Sequence, residues 1–280
     1  MTRIELGGMK DRLLAVPFRL AARYGVPPAV AAAYWHIDQA YCRARMAALG
    51  GTMDVRVGDE TVTFGLSTRM EYRRARDLGG ERAVIAALLD DLDGTETVWD
   101  VGAGVGTYTC FVANALTSGH VVGFEPEPTN RARLRTNLAN NALDERWTVL
   151  PVALADRDGT GTLSSEFVEA GGGHHFLSTA ETGRRVRTRR GASLVEDGFD
   201  APDVLKIDVQ GAEKLVLDGM GPLLDTVESI YLEVHREKCT RYGTTAEAVE
   251  ASLRGAGFSL TAFGKPTNRR SGVYLLRAWQ

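Results

Sequence analysis

Cysteine is scarce in this sequence: Cys42, Cys110 and Cys239 lie scattered along 280 residues. They form neither a disulfide framework nor a CxxC ligand pair, so each reads as a small buried hydrophobe in a reducing compartment. Long apolar runs are lacking too. Ala29 to Ala33 is closed at once by Tyr34, Trp35, His36 and Asp38, and no basic segment leads into it. That is far short of the ~20 residues that span a bilayer, so a cytoplasmic chain with no membrane partner is expected. An excess of one charge is missing as well. The net charge is -3 with 25% charged residues, and no long-range field draws the chain to nucleic acid. Internal repeats are absent. With 44% hydrophobic residues, the length suits one large domain with an appendage.

What is present has a clear order. Residues 10 to 50 read as helical, broken at Gly25-Val26-Pro27-Pro28 and stopped by Gly50-Gly51. Val55, Val57, Val62 and Phe64 alternate around Gly58-Asp59-Glu60, a hairpin expected to cover the edge or mouth of the main domain. We therefore expect an N-terminal helical extension and hairpin over 1–79 and a main domain over 80–280. After a helix at Glu81 to Leu92, strands and helices alternate. Strands are expected at 97–101, 120–125, 147–153, 204–209, 229–234, 258–263 and 273–278, with helices at 108–116, 130–140, 212–220 and 246–256. Such alternation demands an α/β fold, a mostly parallel seven-stranded sheet with helices on both faces. The last two strands have no helix between them and should form an antiparallel hairpin. Between 160 and 194 the rhythm fails, with Gly171-Gly172-Gly173-His174-His175 and a run of arginines. A lid or insert is expected there.

The strongest local signal is Val98-Trp99-Asp100-Val101-Gly102-Ala103-Gly104-Val105-Gly106-Thr107, a strand entering a glycine-rich turn with a helix behind it. Gly102 and Gly104 allow a tight turn close to a ligand, and Gly106 lets the helix start near the strand. Glu125 ends the next strand, where an acid can accept from both ribose hydroxyls. A glycine loop of this kind fits NAD, FAD and S-adenosylmethionine alike. Asp100 suits a cationic amino-acid end and would repel a pyrophosphate, and the terminal hairpin also departs from an all-parallel dehydrogenase sheet.

Together with Gly123-Phe-Glu-Pro-Glu-Pro128, Asn137-Leu-Ala-Asn140, Val152-Ala-Leu154, Asp158-Gly159, Leu205-Lys-Ile-Asp-Val-Gln-Gly-Ala-Glu213 and Val216-Leu-Asp-Gly219, this loop resembles the FkbM family of S-adenosylmethionine-dependent methyltransferases. The resemblance spans roughly residues 80 to 235. It implies a Rossmann-like class I methyltransferase fold and O-methylation of a hydroxyl on a small molecule, sugar or natural product. It also implies that Asp100, Gly102, Ala103, Gly104, Gly106, Thr107, Glu125, Pro126 and Ala153 form the cofactor site. Two departures stand out: Gln210 replaces the family's usual Glu, and Ser193-Leu194-Val195 replaces a Thr-Leu-Asp segment.

For the reacting end, period-two alternation puts Lys206, Asp208 and Gln210 on one strand face, and Glu233 and His235 on one face of the neighbouring strand. Charges there are costly unless paired or used. His235 is the candidate general base, by its ordinary pKa. Asp208 could orient the acceptor, act as base, or join Glu233 in holding Mg²⁺, and Lys206 completes the candidate catalytic set. A purely structural salt-bridge network of these residues is the alternative. Tyr34, Trp35 and Tyr41 read as acceptor lining, packing, or a homo-oligomer contact. An RNA methyltransferase, an NAD-dependent oxidoreductase and a non-catalytic partner-binding domain stay open as other functions.

Overall fold

A computed structural model describes residues 28–165, 175–178, 183–263 and 272–280. By its internal contacts the chain divides into two units, residues 1–50 and 51–280. In the first, helix α1 (Pro28–Ala48) follows the expected course from Pro28, which fits a first helical turn because its missing N–H has no intrahelical partner there. Asp38, Cys42 and Met46 make its buried stripe at fourfold spacing. The helix expected from residue 10 to Gly25 lies outside the described residues. Among the described residues, no helix is long and apolar enough to cross a membrane.

The second unit begins with the expected hairpin, β1 (Thr52–Val57) and β2 (Glu60–Gly65), paired antiparallel with Val57 opposite Glu60. It belongs by contacts to this larger unit, whereas the sequence reading grouped it with the N-terminal extension. Helices α2 (Arg69–Asp77) and α3 (Arg82–Asp90) follow. Thr68 caps α2, and Glu71 returns the bond to the Thr68 backbone, a reciprocal arrangement that satisfies two orphan donors of the first turn.

The main sheet has the order β12-β13-β11-β10-β3-β4-β5. Its parallel strands are β3 (Thr97–Val101), β4 (His120–Phe124), β5 (Trp147–Leu150), β10 (Val204–Ile207) and β11 (Ser229–His235). At one edge β13 (Val273–Trp279) runs antiparallel between β11 and β12 (Ser259–Phe263), as the missing helix implied. Helices α4 (Thr109–Ala115) and α5 (Pro128–Ala139) connect β3 to β4 and β4 to β5. Helices α7 (Glu213–Met220) and α8 (Ala246–Gly255) follow β10 and β11. Every residue of β10 and β11 is buried, as strands covered on both faces must be. Trp99 and Phe124 pack across the sheet with ring centroids 5.1 Å apart in the core.

Three expectations are corrected. The hairpin covers neither edge nor mouth: β2 packs on α4 and α5, with Phe64 edge-on to Phe111. Apolar residues on its inner side need a surface, and the helices flanking the glycine loop supply one. The strand expected at 147–153 divides at Pro151, which has no N–H to continue the ladder. Its second half, β6 (Val152–Leu154), joins a separate sheet of order β6-β9-β7-β8. That sheet also corrects the irregular reading of 160–194. It contains β7 (Gly159–Ser165), β8 (His175–Ser178) and β9 (Arg184–Arg189), and α6 (Gly191–Glu196) comes next. In β9, Val186 and Thr188 point inward while Arg185 and Arg187 are exposed, so the arginine run hid a period of two. Gly171 to His174 lie outside the described residues.

Candidate cofactor and acceptor site

The carboxyl ends of β3, β4 and β10 open into a cleft of about 930 Å³, the place where open α/β sheets receive ligands. Asp100, Gly102, Ala103, Gly104, Thr107, Glu125, Pro126 and Ala153 all line it, so the expected cofactor residues are brought together. Gly106 does not. A Cβ there would stand 2.8 Å from Leu134 and 2.9 Å from Cys110, so this glycine serves the close packing of the loop on α5. The other two differ from each other. Gly102 has φ +84° and a Cβ would fall 2.0 Å from the Asp208 carbonyl oxygen, whereas Gly104 has φ +58° and open space around it. Gly102 therefore lets the β3 and β10 loops touch, and Gly104 only needs the left-handed backbone.

Glu125 is buried, and each carboxylate oxygen accepts a backbone bond, from Gly104 N at 2.8 Å and Glu127 N at 2.7 Å. Burial pushes its carboxyl up to about 8, against the pull of those two donors. Asp100 is also buried and also raised by burial, opposed by the charge of Lys206 and by the Thr109 hydroxyl, which donates at 2.5 Å. Asn137 ties this end together. Its amide donates to the Val105 carbonyl at 2.8 Å and its oxygen accepts from Gly65 N at 3.0 Å, joining the glycine loop to the hairpin. Phe124, Leu154 and Leu163 add apolar wall, and β8 contributes His175, Phe176 and Leu177. Burial lowers the His175 pKa, which favours its neutral form.

At the other end, β10 finishes at Ile207, so Asp208 is not on the strand as expected but in the turn just beyond it. Its N–H still bonds the Val101 carbonyl at 2.9 Å. Gln210 then takes a positive φ of 56°, a costly conformation for a non-glycine residue. It turns its amide back to donate to Asp208 Oδ1 at 2.8 Å, while Lys238 donates to its oxygen. Asp208, 24% exposed, lines the cleft together with Lys206 and Gln210. Lys206 is buried behind it, with its ammonium 4.6 Å from the Tyr108 ring centroid. Burial works to raise the Asp208 carboxyl, but Lys206 and His235 outweigh it and hold the group below its usual range. Glu233 goes the other way, raised by its own burial and then by the Asp208 charge. The two carboxyls are thus pushed apart, Asp208 toward its ionised form and Glu233 toward its protonated one.

His235, the expected general base, lies deep in the molecule. It is 1% exposed and is not in the cleft wall. Its Nδ1 meets Glu213 Oε1 at 2.9 Å, and its Nε2 lies 3.9 Å from Asp208 and 4.0 Å from Glu233 without a hydrogen bond. Glu213 is fully buried and also accepts from Gly211 N at 3.0 Å. Sequence reasoning missed Glu213, Tyr108, Glu81 and Arg74 in this region. Tyr108 donates to Glu81 Oε2 at 2.7 Å, and both line the cleft.

Asp208, Glu233 and His235 offer ligand atoms within 4.8 Å of one another, and of these the two carboxylates are the kind of ligand Mg²⁺ takes. That ion demands oxygen ligands and keeps several waters. His235 is held against Glu213 through its Nδ1, and the Lys206 cation already acts on both carboxyls.

Comparison with known proteins bears on the whole cleft. The chain matches the Methyltransferase FkbM domain over residues 100–260. It is 34% identical to the hexuronic acid methyltransferase AglP of Haloferax volcanii, across 67% of this chain and 76% of that protein. It is 29% identical to the 31-O-demethyl-FK506 methyltransferase FkbM of Streptomyces tacrolimicus, across 61% of this chain and 75% of that protein. The same identity to the AMB antimetabolite synthetase AmbE of Pseudomonas aeruginosa covers 59% of this chain but 10% of that much longer protein.

Proposed function

The chain belongs to the FkbM family of S-adenosylmethionine-dependent methyltransferases, and on that premise we propose that it O-methylates a hydroxyl of a small, sugar-like acceptor held against Asp208. The observation that carries this reading is the partly exposed Asp208 carboxylate, pinned by Gln210 and kept ionised by Lys206, at the end of the cleft opposite Glu125. The relatives named for a hexuronic acid and for 31-O-demethyl-FK506 support an acceptor of this class. The oxidoreductase alternative falls with the family assignment.

In this reading Glu125 accepts from the ribose hydroxyls, Asp100 faces the amino-acid ammonium, and the wall at Pro126, Ala153 and Leu154 receives the adenine. The bound cofactor supplies an electrophilic methyl on a sulfonium. Transfer is an in-line displacement, so alignment of the hydroxyl contributes much of the rate. As the C–O bond forms and the C–S bond breaks, the hydroxyl proton becomes strongly acidic, and a carboxylate with a low pKa suffices to accept it. Asp208 takes that proton. His235, oriented by Glu213, stands behind Asp208 and helps hold that carboxylate in its ionised form, so its role is indirect. The deciding experiment is a labelled-methyl assay of the full chain against a panel of sugars, sugar acids and hydroxylated metabolites. Methylation at an oxygen, lost in Asp208→Asn, is expected; transfer only to nitrogen or carbon would refute the proposal.

A further inference from the structure

The wall of the cleft carries two cations, and only one is accounted for. Lys206 is buried over the Tyr108 ring and neutralises the carboxyls around it. Arg74, on α2, lines the same cleft and is half-buried. Its charge reaches Asp208, yet its guanidinium makes no hydrogen bond or ion pair within 4 Å among the described residues. A guanidinium has five donors, and in this partly open cleft wall those of Arg74 are left for water or a ligand. Nor is its position accidental slack. The reciprocal cap at Thr68 and Glu71 holds the start of α2, and Arg133 on α5 bonds Glu71 at 2.6 Å, fixing α2 beside the glycine loop.

We propose that Arg74 is the carboxylate-binding residue of this cleft. The carboxylate comes either from the amino-acid end of the cofactor, whose ammonium is assigned to Asp100, or from the acceptor. Both present a planar pair of oxygens that the guanidinium fork matches with two parallel bonds. The inference rests on the cofactor placement given under the proposed function. It adds the counter-charge that placement leaves open.

Calorimetry on the full chain tests it with three probes. S-adenosylhomocysteine carries the amino-acid carboxylate; 5′-methylthioadenosine has the same nucleoside and sulfur without it; glucuronate, added to homocysteine-loaded protein, stands in for an acidic acceptor. If the cofactor is the source, Arg74→Ala weakens S-adenosylhomocysteine about 10- to 100-fold, the loss of a charged hydrogen-bonded pair, and leaves methylthioadenosine unchanged. If the acceptor is the source, S-adenosylhomocysteine is unaffected and glucuronate binding is lost. In either case Arg74→Lys, which keeps the charge but not the fork, restores part of the affinity. Equal loss of both nucleosides, or no change with any probe, would overturn the proposal. Failure of the unaltered protein to bind either nucleoside would instead sink the cofactor placement itself, and this inference with it.

Discussion

The two ends of the cleft are built on different principles. The cofactor end is mostly backbone: glycine turns, N–H groups aimed at Glu125, and one short stretch from Asp100 to Pro126. The reacting end is mostly side chains, with Asp208 from the β10 turn, Glu233 and His235 from β11, Glu213 from α7 and Arg74 from α2. In the proposed function the first binds through shape. The second works through charges whose balance one substitution can reset while the fold persists.

The largest expected effect follows from that contrast. Gly102→Ala drives a Cβ into the Asp208 backbone oxygen and should cost about 3 kcal/mol or more, with loss of S-adenosylhomocysteine binding. Gly104→Ala meets nothing and should cost only about 1–2 kcal/mol for its left-handed backbone. Thermal melts of both variants check this; equal losses would erase the distinction between contact and conformation.

Next is Asp208→Asn, which keeps the shape of the side chain and removes its charge. The methylation rate should fall about 10²- to 10⁴-fold, the usual range for losing a positioned base, with melting temperature nearly unchanged. A rate within a few-fold of the parent would show that Asp208 only fills space.

A smaller effect concerns pH. Glu125 is raised to about 8 by burial, while the ribose hydroxyls need its ionised form as acceptor. The affinity for S-adenosylhomocysteine should therefore rise with pH, by at most about tenfold per unit, and level off above about 8. For folding the sign is opposite. The native state holds the proton longer than the unfolded chain, so stability falls as pH rises from the unfolded value of 4.5 toward about 8. Glu125→Gln should flatten both profiles, which titration calorimetry and melts across pH can read. The smallest effect is a null one: a chelator should leave the methylation rate within about twofold, because the Lys206 cation already acts on both carboxyls.

The same contrast explains what could be read in the sequence. The glycine turn, Glu125, the strand-helix alternation and the terminal antiparallel hairpin were legible because local spacing specifies them. The small sheet was not, since its arginines in β9 mask an inward row of Val186 and Thr188, and Pro151 diverts a strand that hydropathy alone would continue. Asp208, Glu233 and His235 were found as charges near strand ends, but their division of labour was hidden. It depends on Asp208 leaving the strand and on Glu213 reaching His235 from another element. Arg74 gave no signal at all, since one arginine among several on a short helix shows its role only once the cleft is formed.

The most direct test sets the two ends side by side. Calorimetric titration with S-adenosylhomocysteine should show Glu125→Gln weakened about tenfold, the loss of a buried hydrogen-bond acceptor charge, and Asp208→Asn bound as tightly as the parent. The reverse pattern, with Asp208→Asn weakened and Glu125→Gln unchanged, would contradict the assignment of binding to one end and chemistry to the other.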